Sequence, residues 1–212
     1  MDWRYEIKYS ILKSAANTVP VAIDLHPEGF VRAFPDRTVN NLYLDTLSAT
    51  ACRENLDGVS DRVKYRIRWY GDPYRITNPV LELKIKSNAL GRKEYHMLDD
   101  SKGLSGILEQ VKDINSNTFK LVPTLHNSYL RSYFLTADKK FRLTVDRNIQ
   151  YQSGVEFVMG NVLSIPDDRL VLEIKFSSQD ILHSKRVTRF IPYRVTKHSK
   201  YASGLLACTS YR

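Results

Sequence analysis

The sequence predicts an α+β protein: an antiparallel β-barrel with a charged interior, flanked by helices. The first observation is the stretch Val63–Tyr70, V-K-Y-R-I-R-W-Y. It alternates with the period of a β-strand, so Lys64, Arg66 and Arg68 share one face and Val63, Tyr65, Ile67 and Trp69 the other. The second is recurrence. Val80–Lys86 sets Glu82, Lys84 and Lys86 against Leu81, Leu83 and Ile85, and Leu170–Phe176 sets Glu173 and Lys175 against Leu172, Ile174 and Phe176. The third is a pair of amphipathic segments, Ser101–Val111 and Ser178–Phe190, which supply helices for the apolar faces to pack against. A sheet whose apolar face lies under helices, and whose other face mixes many cations with few carboxylates, is most economically curled into a barrel or tunnel. Enclosed ions demand counter-charge, so the expected filling is a densely anionic chain held by Arg forks and Lys point charges.

The remaining elements follow in order. Arg4–Tyr9 alternates, with Arg4, Glu6 and Lys8 opposite Tyr5, Ile7 and Tyr9. Ile11–Ala16 reads as a short helical segment ended by Pro20, and Val39–Asp45 as a strand followed by a helical turn or two over Thr46–Cys52. Asp57-Gly58 marks a turn before Val63. A turn containing Gly91 leads to a return strand over Arg92–Met97. In the first clear helix Leu104, Ile107, Leu108 and Val111 fall at helical spacing. Thr124–Leu135 and Phe141–Asp146 form a strand pair around Ala137–Lys140, and Ser199–Cys208 closes the chain as a helix. Six strands thus carry charge on one face and packing residues on the other.

Composition narrows the function. The 212 residues, 42% of them hydrophobic, suit one domain over residues 1–212 with a sizeable core. A net charge of +9 calls for an anionic partner. Nucleic acid fits poorly, because most aromatics fall opposite the cations instead of among them. Two cysteines without metal-finger spacing argue against a disulfide scaffold or a structural zinc. No run approaches the ~18 apolar residues of a membrane span, and the first residues lack an apolar signal region. The chain is therefore expected to be cytoplasmic, with no transmembrane segment.

The segments R-Y-E-I-K-Y, N-N-L-Y-L-D-T, K-Y-R-I-R-W-Y-G, L-E-L-K-I-K, L-E-I-K-F and K-H-S-K-Y-A-S-G, in that order, resemble the VTC domain. That is the catalytic domain of the vacuolar transporter chaperone polyphosphate polymerase, within the triphosphate tunnel metalloenzyme superfamily. The resemblance runs from about residue 4 to about residue 206. It implies an eight-stranded antiparallel tunnel that transfers the γ-phosphate of ATP onto a polyphosphate chain with Mn²⁺ or Mg²⁺. By that likeness Lys8, Arg66, Arg68 and Lys84 hold phosphates, Tyr129, Arg131 and Arg142 continue the cradle, and Lys93 is a further member. Glu173 is the implied metal ligand, with Glu6 as a second candidate. Lys197, Ser199 and Lys200 of the last motif stand near the transferring phosphate or the tunnel entrance, and the catalytic set is Arg66, Arg68, Lys197 and Lys200.

One departure matters. Many tunnel triphosphatases open with two alternating glutamates before the lysine, whereas here the first of those positions is Arg4. Two-metal hydrolysis is correspondingly disfavoured. Two alternatives stay open: a triphosphatase acting on nucleotide or inorganic triphosphate, and a non-catalytic polyphosphate- or nucleotide-binding module. Blander roles are expected elsewhere. Glu82 pairs with tunnel cations, with a role as second metal ligand left open, Asp146 neutralises Arg142 or a neighbouring lysine, and Lys86, Arg147 and Lys175 are solvated or salt-bridged.

Overall fold

Strand alternation sets the architecture of the protein, a computed structural model that describes residues 4–87, 90–115 and 120–210. The strands are β1 (Arg4–Leu12), β2 (Val31–Asp45), β3 (Arg62–Tyr70), β4 (Val80–Ser87), β5 (Leu90–Met97), β6 (Val122–Leu135), β7 (Arg142–Ser153), β8 (Ile165–Pro166) and β9 (Arg169–Ser177). The helices are α1 (Thr18–Asp24), α2 (Thr50–Leu56), α3 (Gly103–Ile114), α4 (Gly154–Val158), α5 (Ser184–Thr188) and α6 (Lys200–Ser210). Eight strands are hydrogen-bonded in the order β1-β9-β7-β6-β2-β3-β4-β5, and the two-residue β8 pairs with β7. The registers of β1 with β9, β9 with β7, and β2 through β5 are antiparallel. The fold is the expected α+β antiparallel sheet flanked by helices.

The chain divides into two compact units. The first comprises residues 1–37, 129–149 and 167–198. Its core is made by the apolar faces of β1, β7 and β9, where Tyr9, Leu143, Leu172 and Ile174 are buried, closed by Val19 and Ile23 of α1 and Val187 of α5. The second comprises residues 38–128, 150–166 and 199–212. There Leu42, Ile67, Trp69 and Leu81 pack under Ile107 and Val111 of α3 and Phe157 of α4. The periodicity read in Ser101–Val111 is thus the seam of α3.

Several boundaries differ from the sequence reading. The segment after Tyr9 stays extended to Leu12, and the helix begins at Thr18 with Pro20 inside its first turn. Proline is tolerated there because its missing N–H has no intrahelical acceptor. β2 starts eight residues earlier than expected, at Val31 in place of Val39. Its first half contains Pro35 and lacks clean alternation, so its sequence carries no strand signal. β7 runs on past Asp146 through Asn148, whose φ of 54° breaks the pattern locally. Ser178–Phe190 is a 3₁₀ segment, Ser178–His183, followed by the short α5. Gly91 lies within β5 opposite Lys86, and the turn preceding that strand falls outside the described residues.

Candidate functional site

In the first unit the antiparallel register of β1 and β9 sets Lys8 directly opposite Glu173 and Glu6 opposite Lys175. Directly opposed residues share a face, so the four side chains meet. Lys8 Nζ lies 3.7 Å from Glu6 Oε2 and 3.7 Å from Glu173 Oε2. Lys175 Nζ lies 3.5 Å from Glu6 Oε1 and contacts Glu173 Oε1. Each ammonium therefore bridges both carboxylates through different oxygens. Lys8 also donates to the carbonyl of His198 at 3.2 Å. On the neighbouring strand Thr144 faces Glu173 and Arg142 faces Lys175.

The same unit holds Tyr129 and Arg131 of β6. The Arg131 guanidinium lies 5.2 Å from the centre of the Tyr129 ring and forks onto Asp146 at 2.5 and 2.7 Å. Asp146 is thus a partner of Arg131, a pairing that the expectation of Arg142 or a neighbouring lysine did not include. The sequence reading missed this because parity assigns a face but not a rotamer. Burial alone pushes the Glu173 carboxyl up, but Lys175, Lys8, a hydrogen bond with Glu6 and Arg131 hold it well below the carboxylate range. Glu173 is an anion in this environment.

In the second unit Arg66 and Arg68 of β3 converge on Glu82 of β4. Arg66 donates to Glu82 Oε2 from Nη2 at 2.5 Å and from Nε at 3.0 Å, and Arg68 Nη1 lies 3.3 Å from Oε1. Lys93 of β5 reaches Oε2 at 3.3 Å. Burial pushes the Glu82 carboxyl up, but the three cations outweigh it and hold it far below its ordinary value. Glu82 is therefore a structural counter-ion, as its parity implied. Beside this group the register places Lys64, Lys84 and Lys93 in one row across β3, β4 and β5. Like charges directly opposite one another repel, so such a row needs counter-charge beside it.

Lys64 anchors the start of α6. Its ammonium donates to Ser199 Oγ at 3.2 Å and to Asn55 Oδ1 at 2.7 Å. Ser199 Oγ in turn accepts from the Ala202 N–H at 3.4 Å, capping the helix. Tyr201 donates to Asp45 Oδ2 at 2.6 Å, and Asp45 also accepts the N–H groups of Ala51 and Cys52. The K-H-S-K segment is thus split. Ser199 and the half-buried Lys200 belong with Lys64 in the second unit, while Lys197 is exposed in the first.

The structure accordingly gathers Lys8, Glu6, Glu173, Tyr129, Arg131 and Arg142 on strand faces of the first unit. Arg66, Arg68, Lys84, Lys93, Ser199 and Lys200 belong to the second. Two polar residues went unread: Asn41 accepts from Arg68 Nε at 2.9 Å and donates to Asn127 Oδ1 at 2.8 Å. Both asparagines are fully buried, and among the described residues Asn127 Nδ2 has no hydrogen-bond partner. Paired asparagines inside a strand pattern, where β-propensity disfavours them, were the available signal.

Among the described residues no three His, Cys, Asp or Glu side chains converge as a metal-holding group. The diagonal carboxylates of Glu6 and Glu173, which contact the same two lysines, nonetheless fit a hard divalent cation, which takes oxygen donors and accepts phosphate or water oxygens for the rest of its shell. Arg4, exposed and opposite Ser177, adds no third carboxylate. No described helix is long and apolar enough to cross a membrane.

Solved structures share this fold end to end. A putative adenylate cyclase from Vibrio parahaemolyticus matches with a TM-score of 0.56 and 12% identity, over 97% of this chain and 98% of that one. Another from Bacillus halodurans matches with a TM-score of 0.53 and 14% identity, over 96% and 98%. A putative adenylyl cyclase from Hippeastrum, described as having a dominant triphosphatase activity, matches with a TM-score of 0.50 and 17% identity, over 100% and 97%. The fold with its charged strand faces is the one these proteins share. Within it, the family model of the VTC domain matches residues 3–209, and the chain belongs to the VTC domain family. No curated protein matches its sequence.

Proposed function

We propose that the protein is a metal-dependent polyphosphate polymerase that transfers the γ-phosphate of ATP onto a polyphosphate chain. The observation that carries this reading is VTC family membership over residues 3–209, which includes every position of the cation-rich faces described above. Phosphoryl transfer asks little covalent help of a protein; it needs phosphates positioned and their charge neutralised. Arg66 and Arg68 present guanidinium forks already oriented by Glu82 and Asn41. Lys84, Lys93 and Lys200 supply point charges, and Ser199 a hydroxyl. Lys8, Arg131, Arg142 and Tyr129 donate hydrogen bonds to phosphate in the first unit, with Lys197 as an exposed contact.

Glu6 and Glu173 would hold Mn²⁺ or Mg²⁺, which supplies neutralisation of phosphate charge when bound. The acceptor phosphate is already nucleophilic, so no general base is required. A second reading, hydrolysis of a triphosphate, is favoured by the triphosphatase activity described for the Hippeastrum protein of the same fold. The exposed Arg4, where a further carboxylate would serve a second metal, weighs for transfer.

The test is incubation of the purified chain with ATP, Mn²⁺ and a short polyphosphate primer, following polyphosphate on gels and free phosphate in parallel. Chain growth lost in Arg66→Ala and Glu173→Gln establishes the polymerase. Phosphate release without chain growth assigns the triphosphatase. Tight polyphosphate binding with neither product leaves a binding module.

A further inference from the structure

Lys175 sits where a cation shared by Glu6 and Glu173 would sit. Its ammonium touches one oxygen of each carboxylate, and Lys8 takes the other oxygen of each. The four groups form a ring of two carboxyl groups and two ammoniums. The position is set by backbone register, since Lys175 opposes Glu6 on one side and Arg142 on the other. Arg142 repels the ammonium across the strand pair, and the two carboxylates attract it.

We infer that Lys175 is a built-in counter-ion that competes with the divalent metal for the Glu6–Glu173 pair, and that an incoming phosphate releases it. This inference rests on the proposed reading of those two carboxylates as metal ligands. A divalent ion entering the intact ring meets carboxylates already neutralised and an ammonium at contact distance. A phosphate placed between Arg142 and Lys175 offers the ammonium another anion. Drawing Lys175 onto that phosphate restores the negative charge of the pair and removes the competing cation in one movement. Metal and phosphate therefore bind with positive coupling, each raising the affinity for the other by the same factor. The resting protein holds metal weakly, and the phosphate-loaded protein holds it tightly.

The experiment titrates Mn²⁺ into the full chain and follows the electron paramagnetic resonance signal of free Mn²⁺, with and without inorganic phosphate. In the absence of phosphate, Lys175→Met and Lys175→Gln bind Mn²⁺ about tenfold more tightly than wild type, or better. Removing a unit charge about 4 Å from a divalent ion is worth about thirtyfold with the dielectric of water, and salt screening lowers this toward the tenfold floor. Lys175→Arg, which keeps the charge, behaves as wild type. Phosphate tightens Mn²⁺ binding in wild type and has little effect in Lys175→Met. Thermal melts confirm that each variant is folded, and the two neutral variants check one another. Wild-type and neutral variants that bind Mn²⁺ equally, with binding lost in Glu173→Gln, overturn the role of Lys175 and leave the metal pair standing. Absence of Mn²⁺ binding in every variant, with or without phosphate, overturns the metal reading and the inference together.

Discussion

Arg131 and Asp146 face each other across β6 and β7, with both carboxylate oxygens held by the guanidinium at 2.5 and 2.7 Å. Asp146 is fully buried. Burial disfavours the charged guanidinium, yet the aspartate and Tyr129 raise its proton affinity well above the ordinary value. The pair is consequently permanent. Asp146→Ala leaves a cation without its counter-charge and lowers stability by about 3–5 kcal/mol, measured by urea unfolding. Arg131 variants suffer the same loss, so phosphate binding by Arg131 is best tested with Arg131→Lys.

His126 stacks on two rings, its centre 4.1 Å from that of Phe157 and 5.6 Å from that of Trp69. Burial pulls its proton affinity down from 6.5 to about 4, against a hydrogen bond with Gln152 that acts the other way. Between those two pH values the unfolded chain binds a proton that the folded one refuses, so stability rises with pH. Denaturant unfolding will show stability falling by up to about 3 kcal/mol from pH 7 to pH 4 on this account. The slope flattens in His126→Gln. An unchanged slope in that variant assigns the acid sensitivity elsewhere.

Glu82 has the opposite origin and the same sign. Its folded-state proton affinity is depressed by Arg66, Arg68 and Lys93 in spite of burial. Its contribution is fully present above the ordinary carboxylate range, about pH 4.3, and declines as pH falls below it. Glu82→Gln is therefore clearly less stable than wild type at pH 7. The difference narrows below about pH 4, which melting curves at the two pH values will read.

Gly204 brings α6 against the sheet of the second unit. A Cβ there would lie 2.4 Å from Tyr151 Cδ1 and 2.7 Å from Leu125 Cδ2, and both side chains are fully buried or nearly so. Gly204→Ala destabilises by about 1–3 kcal/mol through overpacking. It displaces the helix whose first residues are Lys200 and Tyr201, so activity falls more than stability explains. Activity measured well below the melting temperature separates the two effects.

Strand faces were legible because period 2 leaves no freedom: once Glu173 was placed with Lys175, and Lys8 with Glu6, opposing registers brought all four together. Pairing was not legible. Asp146 meets Arg131 of the neighbouring strand through side-chain reach, which spacing does not encode. The half of β2 around Pro35 was invisible for a different reason, since its residues are largely exposed and no apolar rhythm is needed to hold them. Asn41 and Asn127 lay outside the reading because a buried amide ladder follows no hydrophobic pattern. The VTC resemblance supplied what periodicity lacked, namely which cations to single out.

The first strand of the chain is completed by nearly its last residues. β1 pairs along its length with β9, and its outer side meets Val195 and Thr196, with the Ser10 N–H donating to Thr196 Oγ1 across 186 residues of sequence. During synthesis, then, β1 precedes both of its partners and waits unpaired on either side until residues 169–196 have left the ribosome. Contacts of such range close slowly, because the chain entropy of a long loop is lost before any bond is gained. The nascent chain spends that interval with an open strand edge, so its yield in cells depends on translation speed and chaperones more than its equilibrium stability would indicate.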